Sequence, residues 1–271
     1  MSDFYKPDRN PNWNYGGAKW RLSRSKIDLF SECQRCFYID NKLGTARPKG
    51  YPFNLNSAVD ALLKKEFDAH RAGKTPHPLM KAYGVDAVPF SHERMDEWRD
   101  ALRGGVTFAH PTGITITGGV DDIWVTPHEE LIVVDYKATS KDGKIEALEE
   151  EWHKGYKRQL EVYQWLLRQN GFKVSDTAYW VYANADKDKE AFDGKLEFEI
   201  TLVPYKGNAD WVESTIQSIK RCLDGSELPT AGDDCDYCMY REAVGKKMPA
   251  FAKSINASVS AGKKVDATLG I

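Results

Sequence analysis

The chain has 271 residues, 41% hydrophobic and 29% charged, with mean hydropathy −0.57, which is apolar material for one large domain or two small ones and excludes a wholly disordered chain. It contains no run of about 18 apolar residues, and residues 1–15 are polar rather than basic then apolar, so no membrane span and no ordinary secretion signal is expected, and the expected location is cytoplasmic. A net charge of −2 and a pI near 6.3 exclude a protein that coats nucleic acid by bulk charge, so any polyanion site must be local.

Residues 22–38 read as a helix with Ser25 as N-cap, Asp28 three positions on, and Ile27, Leu29, Phe30 and Phe37 as apolar positions; Arg21, Arg24 and Lys26 crowd its start. Prolines and a glycine make residues 47–56 a loop, after which Ala58, Val59, Leu62, Leu63 and Phe67 recur at helical spacing behind an Asn56 or Ser57 cap. Residues 73–89 form a Pro- and Gly-bearing connection to a shorter helix over 92–103, which Gly104-Gly105 ends. The period then changes. Residues 114–125 and 130–138, rich in Ile, Val and Thr around a Thr126-Pro127-His128 turn, predict paired strands, and the apolar run 131–134 marks a central one.

The longest helical pattern covers 146–170, with Trp152, Tyr156, Leu160, Tyr163, Leu166 and Leu167 in register and Asn170-Gly171 as its stop. Strands over 177–185 and 196–205 and a helix over 210–223 follow, and the stretch from Gly245 reads as a loose tail. The order predicts an α/β fold with a mixed sheet covered by helices.

Asp121 closes the first predicted strand of the pair, and Asp135-Tyr136-Lys137 closes the next. Two carboxylates at neighbouring strand ends, with the Tyr136 backbone carbonyl, form the hard oxygen set that magnesium prefers, and Lys137 shares a strand face with Asp135. Such a site suits phosphodiester hydrolysis. An Asp-x-Lys triplet alone reads as a surface charge pair, as at Asp40-Asn41-Lys42, Asp142-Gly143-Lys144 and Asp193-Gly194-Lys195. The buried strand before Asp135 and the second acid on the preceding strand set this triplet apart.

Gly118-Gly119-Val120-Asp121, Val133-Val134-Asp135-Tyr136-Lys137 and Gln159-Leu160-Glu161-Val162-Tyr163, in that order, resemble three motifs of the RecB-like branch of the PD-(D/E)xK nuclease superfamily, over roughly residues 22–242. The resemblance implies a restriction-endonuclease-like mixed β-sheet core flanked by helices, with Asp121, Asp135, Lys137, Gln159 and Tyr163 as catalytic residues. Magnesium or manganese would be held by Asp121, Asp135 and the Tyr136 carbonyl. Gln159 and Tyr163, four apart, share one helix face. The branch places a histidine on an early helix where this chain has Asp60, which either ligates the cation through oxygen or pairs with Lys64 one turn on.

Cys33-Gln34-Arg35-Cys36 and Cys235-Asp236-Tyr237-Cys238 are two C-x-x-C pairs, a pattern for a four-thiolate metal site, zinc or iron–sulfur; Cys222 stands apart as a core residue. The resemblance implies a 4Fe–4S cluster, although such nucleases carry one early and three late cysteines. Here Val244 stands near the third late position and Cys36 has joined Cys33, which keeps zinc as the alternative. The tetrad would clip a helical N-terminal region to the C-terminal end.

No two histidines stand four apart and no P-loop is present, so a histidine zinc enzyme and a built-in helicase are unsupported; any helicase, CRISPR or repair partner would be a separate chain. Basic segments 21–26, 47–49 and 154–158 are candidates for tracking a phosphate backbone. The expected organisation is an extension over 1–21, a nuclease domain over 22–244 (helical part 22–110, catalytic core 111–205, helix and cysteine pair 206–244) and a tail over 245–271. The expected function is a metal-dependent exonuclease on single-stranded DNA ends. The alternatives are a structure-specific endonuclease and a non-catalytic nucleic-acid-binding module.

Overall fold

The computed structural model describes residues 8–260 apart from 49, 51–52, 144, 146–147 and 149–152, with backbone alone over 250–260. The main sheet has five strands in the order β2 (Val88–Pro89), β5 (Asp122–Val125), β6 (Leu131–Thr139), β7 (Thr177–Ala185) and β8 (Phe198–Lys206). Neighbours are antiparallel except β6 and β7, which run parallel and are joined through helix α6 (Lys154–Gln169), the crossover that a parallel pair requires. The apolar run 131–134 lies in the middle strand, as its burial on both faces requires.

Strand parity sorts the core into two layers. Val133, Ile123 and Trp180 face one side with Leu160 and Leu166 of α6, and Ile132, Val134, Trp124 and Val181 face the other with Leu63 and Phe67 of α3 (Asn54–Gly73). Asp135 and Lys137 therefore project toward α6, while Tyr136 projects toward α3. Helices α1 (Arg24–Glu32), α2 (Gln34–Asn41) and α7 (Asp210–Asp224) pack on the α6 side.

A three-stranded second sheet, β1 (Leu22–Ser23), β4 (Thr115–Gly118) and β3 (Val106–Ala109), lies against α6. The strand expected over 114–125 is thus two strands in two sheets, with Gly119-Val120-Asp121 between them. A glycine pair has no side chains to pack on a pleated face and frees the chain to change direction. The bend delivers Asp121 to the end of β6.

Other boundaries shift for tertiary reasons. The helix expected over 22–38 is preceded by β1, which pairs with β4, and it breaks at Cys33, whose backbone is extended (φ −158°, ψ 104°). Ser23, not Ser25, is at the N-cap. Helix α3 begins at Asn54 with no side-chain cap, because the Asn56 amide instead donates to the Ala138 carbonyl at 2.7 Å. The helix expected over 92–103 is α5 (Met95–Arg99), since the Asp100 carboxylate draws the N–H groups of Leu102 and Arg103 into a turn. The stretch 73–89 also holds α4 (Pro78–Ala82), and α8 (Asp236–Ser260) continues through the stretch read as a tail. Of the first turns of the helix expected over 146–170, residues 146–147 and 149–152, with Trp152, lie outside the described residues, as does the tail beyond 260.

Candidate active site and cysteine centre

The end of β6, the approach to β5 and the first turns of α6 meet. Lys137 ion-pairs with Asp135 Oδ2, and Gln159 Nε2 donates to Asp135 Oδ1 at 2.7 Å and to the Tyr163 hydroxyl at 3.2 Å. Lys137 Nζ donates to Gln159 Oε1 at 3.4 Å and lies 4.6 Å from the centre of the Tyr156 ring. The Tyr136 N–H donates to Asp121 Oδ2 at 3.0 Å. Since the N–H and C=O of one strand residue leave on the same edge, the Tyr136 carbonyl also faces the Asp121 side. The structure thus brings Asp121, Asp135, Lys137, Gln159 and Tyr163 together.

Asp135 is fully buried. Burial pushes its carboxyl up to about 7 against the pull of Lys137, and the adjoining Asp121 carboxylate pushes the same way. Burial disfavours the Lys137 ammonium, but Asp135 and Asp121 hold it protonated above the ordinary lysine range. Lys137 and Lys64 place ammonium charge beside these acids, and a cation bound between them would favour the ionised form of Asp135 further. This donor set of paired carboxylates and a strand carbonyl fits a divalent cation with hard-oxygen preference. Asp60 sits one remove away: Lys64 Nζ lies 2.8 Å from Asp60 Oδ2 and 3.5 Å from Asp121 Oδ1, so its ammonium joins the two acids.

Three contributors have little sequence signal of their own. Asp122, fully buried on the α3 side, pairs with Arg71 at 2.5 Å and Arg99 at 3.2 Å and accepts from the Tyr136 hydroxyl at 2.7 Å. Arg99 also donates to the Asp121 carbonyl at 3.0 Å, so this network fixes the backbone that carries Asp121. Lys64 was visible only as a partner for Asp60. Arg24, at the N-terminus of α1, reaches the Tyr163 hydroxyl. An Asp-Asp doublet at a strand start is the one signal that Asp122 offered, because adjacent residues face opposite sides.

Two cavities meet at Arg24. One, about 1060 Å³, runs from Asp121, Lys137 and Gln159 to Cys235 and Tyr237. The other, about 720 Å³, is lined by Arg9, Lys19, Arg21, Arg24, Lys26 and Arg103 with Trp13 and Tyr163, and among the described residues no carboxylate lines it. Burial, with Arg9 nearby, lowers Lys26 to about 8.

Gly118 seats Tyr163. A Cβ at Gly118 would lie 2.7 Å from Tyr163 Cε1. Gly118→Ala is therefore expected to displace the ring and to cost about 1–3 kcal/mol. The check is a thermal melt, at roughly 2–4 °C per kcal/mol for a domain of this size; an unchanged midpoint shows that the ring yields freely.

The four motif cysteines are buried in one cluster at the break between α1 and α2 and the start of α8, with their Sγ atoms all within 4.8 Å of one another. Burial opposes ionisation of Cys33, yet N–H groups of Gly232 and Cys36 aimed at its sulfur draw it down to about 6; burial raises Cys36. Such a cluster is competent to bind a metal. Cys222 is half-buried on α7, where burial raises its thiol.

A mixed sheet with one parallel crossover, flanking helices and acids at adjoining strand ends defines a restriction-endonuclease-like α/β fold. A family profile for the PD-(D/E)XK nuclease superfamily matches residues 21–243, and the chain belongs to that superfamily. No curated protein matches it significantly. Among the described residues no helix is long and apolar enough to cross a membrane.

Proposed function

We propose that this protein is a RecB-like, magnesium- or manganese-dependent deoxyribonuclease, an exonuclease acting on single-stranded ends in the cytoplasm. The observation that carries this reading is the convergence of Asp121 and Asp135 with Lys137 under Gln159 of α6. Asp121, Asp135 and the Tyr136 carbonyl would hold the cation, and Asp60 can join them when Lys64 turns aside. When bound, the cation supplies charge to the phosphoryl oxygen and lowers the pKa of the attacking water. Lys137 orients that water and stabilises charge on the phosphate. Gln159 holds Asp135 Oδ1 in place, and Tyr163 with Arg24 borders the path by which a strand reaches the acids.

The basic cavity supports the single-stranded reading. Cations with an aromatic ring and no acid suit a phosphate backbone with stackable bases, and the cavity reaches the catalytic cleft at Arg24. Replacing Arg21 and Arg103 together by alanine is expected to weaken oligonucleotide binding about tenfold and to lower the salt slope by about 1.4, as two lost single-strand phosphate contacts require. Fluorescence anisotropy over a salt series measures both; an unchanged slope puts the strand elsewhere.

The reading is tested with labelled linear and circular DNA, single- and double-stranded, and with single-stranded RNA, in Mg²⁺ or Mn²⁺. Linear single strands should shorten from an end, circles should persist, and Asp121→Asn should cut neither. Cutting of circles supports the endonuclease reading. Binding without cutting in either metal supports a non-catalytic module and overturns the nuclease.

A further inference from the structure

We infer that the cysteine tetrad holds a single tetrahedral zinc ion and not an iron–sulfur cluster. The sulfur spacing carries the argument. Cys33 and Cys238 are 3.7 Å apart at Sγ, Cys36 and Cys235 3.6 Å, and Cys36 and Cys238 3.6 Å. A tetrahedral ion with metal–sulfur bonds of about 2.3 Å sets its ligands ~3.8 Å apart, the edge of that tetrahedron. A cubane instead binds each thiolate to a different iron, so the four sulfurs stand outside the whole cluster, at separations of ~6 Å. The largest separation here is within 4.8 Å, and the sulfurs are also too far apart to be disulfides.

The surroundings hold that spacing. The Gly232 N–H donates to Cys33 Sγ at 3.2 Å, and Arg35 of α2 donates to the Pro229 carbonyl at 2.9 Å, so the two cysteine-bearing segments are tied together on both sides of the site. A Cβ on Gly232 would lie 2.3 Å from the Glu32 carbonyl oxygen, which leaves no gap for a larger group to open from that side. The charge also closes. Four thiolates around a divalent ion carry net −2, and two guanidinium groups reach the sulfurs, Arg47 at Cys235 and Arg241 at Cys238, each at 3.4 Å. An all-sulfur tetrahedral set for one ion suits zinc and would also take a single iron, so the sulfur spacing excludes the cubane and metal analysis separates the two ions.

Zinc has no redox chemistry, so the centre is a staple. It joins positions 205 apart in the chain and anchors the C-terminal end of α1, the helix whose Arg24 and Asp28 wall the catalytic cleft. This inference does not rest on the nuclease reading, and it is measured on the full chain carrying Lys137→Ala as well as on the unaltered protein.

The test is anaerobic purification from cells supplied with both iron and zinc, followed by metal analysis, acid-labile sulfide analysis and an absorption spectrum. The expected protein is colourless, with about one zinc per chain and iron below about a tenth of that. Cys36→Ser and Cys235→Ser are each expected to lower bound zinc at least about tenfold, whereas Cys222→Ser keeps it. Should the serine variants not fold, cobalt(II) loaded into the unaltered chain supplies the readout, as thiolate-to-cobalt absorption with the ligand-field bands of a tetrahedral ion. A brown protein with iron and sulfide, a single iron without sulfide, or a metal-free chain that takes up neither zinc nor cobalt overturns the inference.

Discussion

Lys137→Ala is expected to lower single-strand cleavage at saturating Mg²⁺ by about 10³-fold, roughly 4 kcal/mol of transition-state stabilisation, while oligonucleotide affinity in non-catalytic Ca²⁺ changes by less than about threefold. The size follows from position. Lys137 ion-pairs with the fully buried Asp135, and the two acids keep it charged, so its ammonium is held where negative charge on a phosphate would develop. Its partner Asp135 is shielded from water, which strengthens the contact between the two charges. Truncating a basic residue that merely binds the strand would raise KM and spare kcat. Single-turnover assays with labelled oligonucleotide separate the two, and a loss confined to KM would remove Lys137 from the chemistry.

Asp122→Ala is expected to be the most damaging single change outside the proposed catalytic residues, at about 3–5 kcal/mol, because it removes the shared acid from a buried pair of guanidinium groups. Arg71 and Arg99 are nearly buried and would be left with Asp68, which is 45% exposed and screened by water. For a domain of this size the melting midpoint should fall by roughly 6–20 °C. Asp68→Ala, the exposed arm of the same network, should cost about 1 kcal/mol or less. Circular dichroism melts of both variants decide the matter: a shift under about 2 °C for Asp122→Ala would mean that the two arginines find other partners. Because Arg99 also donates to the Asp121 carbonyl, residual folded Asp122→Ala protein should cleave more slowly than the wild type.

The grouping of the candidate site residues was legible in the chain because it depends on short-range rules. A strand alternates faces with period two, so Asp135 and Lys137 must share one; a helix repeats near four, so Gln159 and Tyr163 must share another. The apolar run before Asp135 marked the central strand, and a parallel neighbour needed a helical crossover, which the 146–170 pattern supplied from Lys154 onward. The two C-x-x-C pairs announced a four-cysteine cluster by spacing alone.

What the sequence could not express was anything set by contacts distant in the chain. The break at Cys33 arises where its sulfur accepts N–H groups from Cys36 and from Gly232, 199 positions away, a partner that no local pattern reveals. The bend at Gly119 that sends residues 114–125 into two sheets exists because β1, from the other side of the helical region, pairs with Ile116 and Thr117. Asp122 adjoins Asp121 in the chain, and only the opposite face of β5, with Arg71, Arg99 and the Tyr136 hydroxyl on it, gives it a separate structural task. By itself the sequence determined the residue types, their faces and the strand–helix order from β6 to α7, since these follow from backbone geometry one or two turns at a time. Tertiary structure alone decided which faces meet, how far apart the four sulfurs stand and which acid is left for a cation, because burial and distance are properties of the packed chain.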